Sequence, residues 1–168
     1  MCTTIDDADE HLPIKHKPGT PVESIPESLK NALGVFLIAS AIKDIRRRQN
    51  LLKDQHDSML INMSRLTSVQ SDIAPLVDIA LDSYWDAITV NANKAIPEAK
   101  SNVMQKLFRL WKINYEASGE ESWVEICKSL SVMEKPKTIT VHSKSGDSLI
   151  YDKNGPKKQI AIGGLKLS

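Results

Sequence analysis

The chain has 168 residues, of which 41% are hydrophobic and 26% charged, enough apolar material to bury one core. Its 22 Lys and Arg nearly balance 21 Asp and Glu, so any nucleic-acid role must rest on local patches. Two cysteines, Cys2 and Cys127, give no basis for a disulfide framework and fit a reducing interior.

Residues 1–23 read as an arm. Asp6, Asp7, Asp9 and Glu10 precede a Pro/Lys/His stretch, HLPIKHKPGTP, without periodicity. Such an arm is disordered or lies across another surface. The acidic start lacks the basic region of a signal peptide, and the longest apolar run, near Val35 to Ala39, is too short to cross a bilayer. The reading is a cytoplasmic protein with no membrane partner. Ser24 and Glu27 then have the spacing of a capping box, with Pro26 tolerated in the first turn. Leu29, Ala32, Leu33, Phe36, Ala39, Ile42 and Ile45 repeat at helical spacing and predict a helix to about Arg48. Gly34 inside it suggests close packing. Lys43 and Arg46 to Arg48 suit the negative end of the helix dipole.

Within Ser58 to Ser64, the residues Met59, Leu60, Ile61 and Met63 make an apolar run of strand length. Thr67 and Gln70 have a second capping-box spacing. They open a helix carrying Val69, Ile73, Leu76, Val77, Ala80, Leu81, Tyr84 and Trp85, in which Pro75 should cause a kink or delay the regular start. Asn91 to Asn93 break the pattern. Pro97 is expected to start a helix with Val103, Leu107, Leu110, Trp111 and Asn114 on one face, ending at Ser118-Gly119. A shorter helix, about Glu120 to Leu130, carries Trp123, Val124 and Ile126. Thr138 to His142 reads as a β-branched strand, Ser148 to Tyr151 as a short one, and Gln159 to Ile162 as the last. The expected fold class is α/β. MLINM, TITVH and QIAIG lie adjacent in a small, mostly parallel sheet flanked by helices, with a helical insertion at about 91–131.

No motif for a P-loop, dinucleotide fold, hydrolase elbow or zinc protease occurs. His11, His16, His56 and His142 are scattered. Cys127 reads as a small core residue rather than a thiol activated by His142, and His56-Asp57 as a polar turn rather than part of a metal site. No carboxylate pair stands out, so no catalytic or metal-binding residue is assigned. The three tryptophans sit at helical positions and read as core. Two strand ends are more informative. Ser64, Arg65, Thr67 and Ser68 surround a helix N-terminus, where hydroxyls, a guanidinium and backbone N–H groups suit a phosphate oxygen, although capping alone also accounts for Thr67 and Ser68. Gly163-Gly164 follow Ile162 and let another backbone or a ligand approach. In parallel α/β sheets, ligands sit beyond the carboxyl ends of strands. From Glu134 to Ser168, seven lysines face three acids, net +4: a solvated surface, or a contact with a nucleic-acid backbone.

IPESLKNALGVFLIASAIKDIR, HDSMLINMSRLTSVQ and QIAIGGLKLS, in that order, resemble the Z-one domain family. The family occurs in large bacterial and phage proteins with a superfamily II helicase-type ATPase. They lie near DNA methylases, MutL/Hsp90-type ATPases and nucleases in restriction-modification-like loci, and are often described as endonucleases. The resemblance implies an incomplete second RecA-like lobe over 24–168. Ser64, Arg65, Thr67 and Ser68 would touch the DNA backbone, and Gly163, Gly164 and Ser168 would belong to a loop coupling nucleotide to DNA. ATP and Mg are implied for the full-length protein. The P-loop lobe would be a partner, and these residues alone should need no cofactor and hydrolyse no ATP. An alternative is a non-catalytic interaction module docking partners around Phe108, Trp111 and Trp123. A nuclease finds no acidic pair with a lysine to support it.

Overall fold

The computed structural model describes residue 7 and residues 21–49, 51, 56–62, 67–119, 121–141 and 157–163; the side chains of Thr67 and Ser68 are outside the description. Among the described residues, four α-helices and three strands follow in the order α1 (Glu27–Arg48), β1 (Asp57–Ile61), α2 (Thr67–Asn91), α3 (Asn102–Asn114), α4 (Trp123–Val132), β2 (Lys137–Val141) and β3 (Lys158–Gly163). Single 3-10 turns at Pro97–Ala99 and Glu116–Ser118 flank α3. The expected Ser148–Tyr151 strand falls outside the described residues. The chain divides into two compact units. One comprises residues 1–30, 56–79 and 136–168, the other residues 31–55 and 80–135.

The first unit holds the sheet. Its order is β1-β3-β2, and both pairings are parallel. The expected adjacency of the three strands therefore holds. Met59 lies opposite Ile160 and Ile61 opposite Ile162, while Thr140 meets Ile162 and Val141 meets Gly163. All six residues of the central β3 are buried, as a strand covered on both faces requires. Val22, Ile25, Leu29, Ile61, Val69, Ile73, Val77, Ile160, Ala161 and Ile162 form the core of this unit. From Val69 to Val77 the buried positions recur every fourth residue, and α2 runs on through Pro75 with no delayed start.

The expected capping box at Ser24 does not start α1. The first helical carbonyl is that of Pro26, which accepts from the N–H groups of Leu29 and Lys30 at 3.1 Å. The cap comes from the arm instead: the Asp7 carboxylate accepts from the backbone N–H of Ser28 at 2.9 Å and from its hydroxyl. A carboxylate there satisfies an orphan donor and complements the positive end of the helix dipole.

The second unit is helical. Its core comprises Leu33, Leu37, Ile38, Ala41, Ile42, Ile45, Leu81, Tyr84, Ile88, Met104, Leu107, Trp111, Trp123, Ile126, Cys127 and Leu130. Gly34 gives the close approach its position suggested. A Cβ there would lie 2.7 Å from Leu110 Cδ1 and 3.2 Å from the Tyr84 hydroxyl. The helix expected from Pro97 begins later. Pro97–Ala99 is a 3-10 turn, and Ser101 is the N-cap of α3, accepting from the Met104 N–H at 3.1 Å. The buried face is accordingly Met104, Leu107 and Trp111, with Val103 and Leu110 only half-buried. Ser122 caps α4 in a reciprocal capping box with Glu125. Val124 points outward on α4, and Cys127 replaces it in the core.

Candidate nucleic-acid interface

The carboxyl ends of the strands end nearly level. Ile61 closes β1 beside Ile162, and Val141 closes β2 beside Gly163. From this edge the chain leaves β1 and re-enters a helix at Thr67, still within the sheet unit. The first-turn N–H groups of such a helix have no intrahelical acceptor, which makes the end of α2 hospitable to an anion. Thr67 and Ser68 are placed in this first turn. Ser64, Arg65, Gly164 and Ser168 lie outside the described residues.

Gly163 has a structural reason to be glycine. A Cβ there would sit 2.8 Å from the carbonyl oxygen of Val141, closer than real Cβ atoms come to backbone. The residue is needed for β3 to pair with β2 at the end of the strand. This packing role stands whether or not a ligand approaches.

The lysines of the last third divide by environment. Lys158, which the sequence suggests is part of a solvated or phosphate-facing surface, is buried. Its Nζ lies 4.0 Å from the buried Asp57 Oδ2, and the two residues are register partners of β3 and β1. Lys135 pairs with Asp82 in the helical unit. Lys137 and Lys157 are exposed, and Lys144, Lys153 and Lys166 lie outside the described residues. The Asp57–Lys158 pair is a feature that reading the sequence misses. Its one signal is a charged residue at the head of each of two apolar strands.

Elsewhere the polar groups serve the fold. The Arg46 guanidinium donates to Glu121 at 2.7 Å and 3.2 Å, Arg47 pairs with Asp44 at 2.9 Å, and Arg48 donates to Ser129 Oγ at 2.8 Å. Ser129 Oγ in turn donates to the carbonyl of Ala41 at 3.0 Å. The arginine triplet is thus held within the helical unit. Burial, and secondarily the nearby Glu98 carboxylate, push the Cys127 thiol up to about 12, so it is protonated and unreactive at neutral pH. Among the described residues no group of three His, Cys, Asp or Glu side chains could hold a metal. Trp111 and Trp123 are buried; Trp111 stacks on Phe108 at a ring-centroid distance of 5.7 Å, and Trp123 packs tilted against Phe108 at 5.5 Å and Trp111 at 5.9 Å. Their faces are spent inside the helical unit rather than offered to a partner.

A small open parallel sheet with helices between its strands defines this as an α/β protein. Within that class the chain belongs to the Z1 domain family, whose profile matches residues 28–168, the Z-one family that the sequence resembles. No curated protein and no solved structure matches it. No helix among the described residues is long and apolar enough to cross a membrane.

Proposed function

We infer that this chain is the DNA-contacting part of the second lobe of a helicase-like ATPase, serving a restriction-modification or defence system and not catalytic by itself. The observation that carries the reading is the parallel register of β1 and β3. With Ile61 beside Ile162, the two strands end at one edge of the sheet, and Ser64–Ser68 and Gly163–Ser168 follow those ends in the sequence. That is the edge where α/β proteins bind ligands. Arg65 would pair with a phosphate, and the α2 N-terminus would support it through backbone N–H groups. In a full-length protein, ATP and Mg would bind a P-loop lobe, and closure of the two lobes would drive movement along DNA. A methylase, a MutL/Hsp90-type ATPase or a nuclease would be the working partner.

The test is DNA binding by fluorescence anisotropy over a salt series. The expected result is affinity that falls steeply with salt and depends little on sequence. Arg65→Ala should weaken it uniformly and reduce the salt slope by about one. Unchanged binding removes Arg65 from the role. Absence of binding at low salt favours the second reading, a protein-interaction module. Ile113, Val124 and Val132, each more than half exposed on α3 and α4, favour that reading over the buried tryptophans.

A further inference from the structure

Strand β3 pairs with β1 and with β2 in parallel, so no hairpin turn sets its register against either neighbour. All six of its residues are buried, so no polar face marks one alignment as correct. Size supplies part of the answer. Lys158, Ile160 and Ile162 belong to one side of the sheet, and Gln159, Ala161 and Gly163 to the other. A slip of one residue exchanges the sides, placing Ala161 where a buried isoleucine was packed. A slip of two residues does not, because every side chain keeps its side of the sheet.

The two ends of β3 discriminate against slips of two. In one direction, Lys158 moves to the place of Ile160 beside Met59, and Ala161 arrives opposite Val141 in the place of Gly163. In the other, Ile160 arrives beside Asp57, and Leu165 arrives opposite Val141. Either way a residue with a Cβ takes a place where that atom would come within 2.8 Å of the Val141 carbonyl oxygen. Either way Asp57 and Lys158, both buried, lose the alignment that holds Nζ 4.0 Å from Oδ2. Separating a buried charge from its counter-charge is costly.

We propose that the Asp57–Lys158 pair and Gly163 together form a two-ended register lock on β3. The ion pair aligns β3 with β1 at the head of the strand, and the glycine aligns it with β2 at the foot. Each end fixes a different neighbour, so the sheet has one alignment only when both are satisfied. The buried pair then has a role apart from net stability, which is to select one arrangement among several of similar burial. The lock also sets how the carboxyl ends of the three strands stand relative to one another, whatever that edge contacts.

Interstrand backbone NOEs in the isotopically labelled whole chain read the register. The native chain should give one set, with Met59 and Thr138 both aligned with Ile160. Asp57→Leu combined with Lys158→Met should melt close to the native temperature, yet add a second set aligning Met59 with residue 158 or with Ile162, at about a tenth of the first set's intensity or more. In that variant Thr138 should stay aligned with Ile160 alone, because Gly163 still guards the other neighbour. The reversed pair, Asp57→Lys with Lys158→Asp, should return to a single set. An apolar pair held in one alignment overturns the proposal, and so does a reversed pair that slips. If the apolar pair fails to fold, Asp57→Asn decides, since it removes the charge and keeps the shape: a second Met59 set is expected, and a single set overturns the lock.

Discussion

The sheet unit and the helical unit are built on different physical terms. The sheet unit is organised by backbone pairing, with one fully buried strand giving both neighbours their register. Its buried ion pair, Asp57 and Lys158, sits where side chains of adjacent strands meet. The helical unit has no ladder among its described residues. It is held by interlocking side chains, by two serine N-caps, and by arginine contacts that tie residues far apart in sequence. The comparison teaches that a change of side-chain volume should tell most in the helical unit, and a change of backbone approach or of buried charge most in the sheet unit.

The sharpest way to break that comparison is Leu107→Ala. Leu107 is fully buried in the helical unit, and the cavity left should cost about 2–5 kcal/mol in urea unfolding. Next comes Asp57→Ala, which removes the carboxylate beside the buried Lys158 ammonium in the sheet unit and should cost about 3 kcal/mol. Replacing both partners with apolar residues of similar volume should recover most of that loss, because the pair's attraction is set against its own desolvation. Full recovery failing in the double variant would mean the pair contributes net stability. Gly163→Ala comes third, at about 1–3 kcal/mol, since the methyl must displace the Val141 carbonyl. Gly34→Ala should cost less, because what it meets are the ends of movable side chains, Leu110 above all.

The smallest expected effect is a pH dependence at the start of α4. Hydrogen bonds from the Ser122 backbone N–H, then from its hydroxyl, hold the Glu125 carboxyl below its usual range. A carboxyl whose folded value is depressed adds stability above its unfolded value, about 4.3, and that contribution is lost as pH falls through the folded value. Thermal melting from pH 6 downward should show this slope in the native chain and a shallower one in Glu125→Gln. An identical slope in both would remove the capping box from the account.

How much of this was legible depends on the range of the interaction. The three strands and their parallel adjacency could be read from short β-branched and apolar runs, because a strand buried on both faces announces itself locally. The faces of α1 and α2 could be read from periodicity. The start of α3 could not, because Pro97 signals a helix that the 3-10 turn and Ser101 postpone. The S-x-x-E spacing of Ser122 to Glu125 places the start of α4 at Trp123, later than the expected Glu120. The Asp7 cap and the Asp57–Lys158 pair have partners distant in sequence, so no local pattern encodes them. Of the candidate interface, the shared strand edge was legible, and so was the need for glycine at 163. The burial of Lys158 was not, because a lysine heading a strand looks the same whether it meets water or a carboxylate.

The central position of β3 has a consequence for how the chain is made. Among the described residues neither β1 nor β2 pairs with the other; each pairs there with β3, a strand synthesised after both. Until residues 158–163 leave the ribosome, the apolar edges of both earlier strands wait without their ladder. Such late, non-local closure folds slowly and leaves strand edges open to misassembly. A nascent chain halted just before Lys158 should therefore depend on chaperones far more than one released a few residues later.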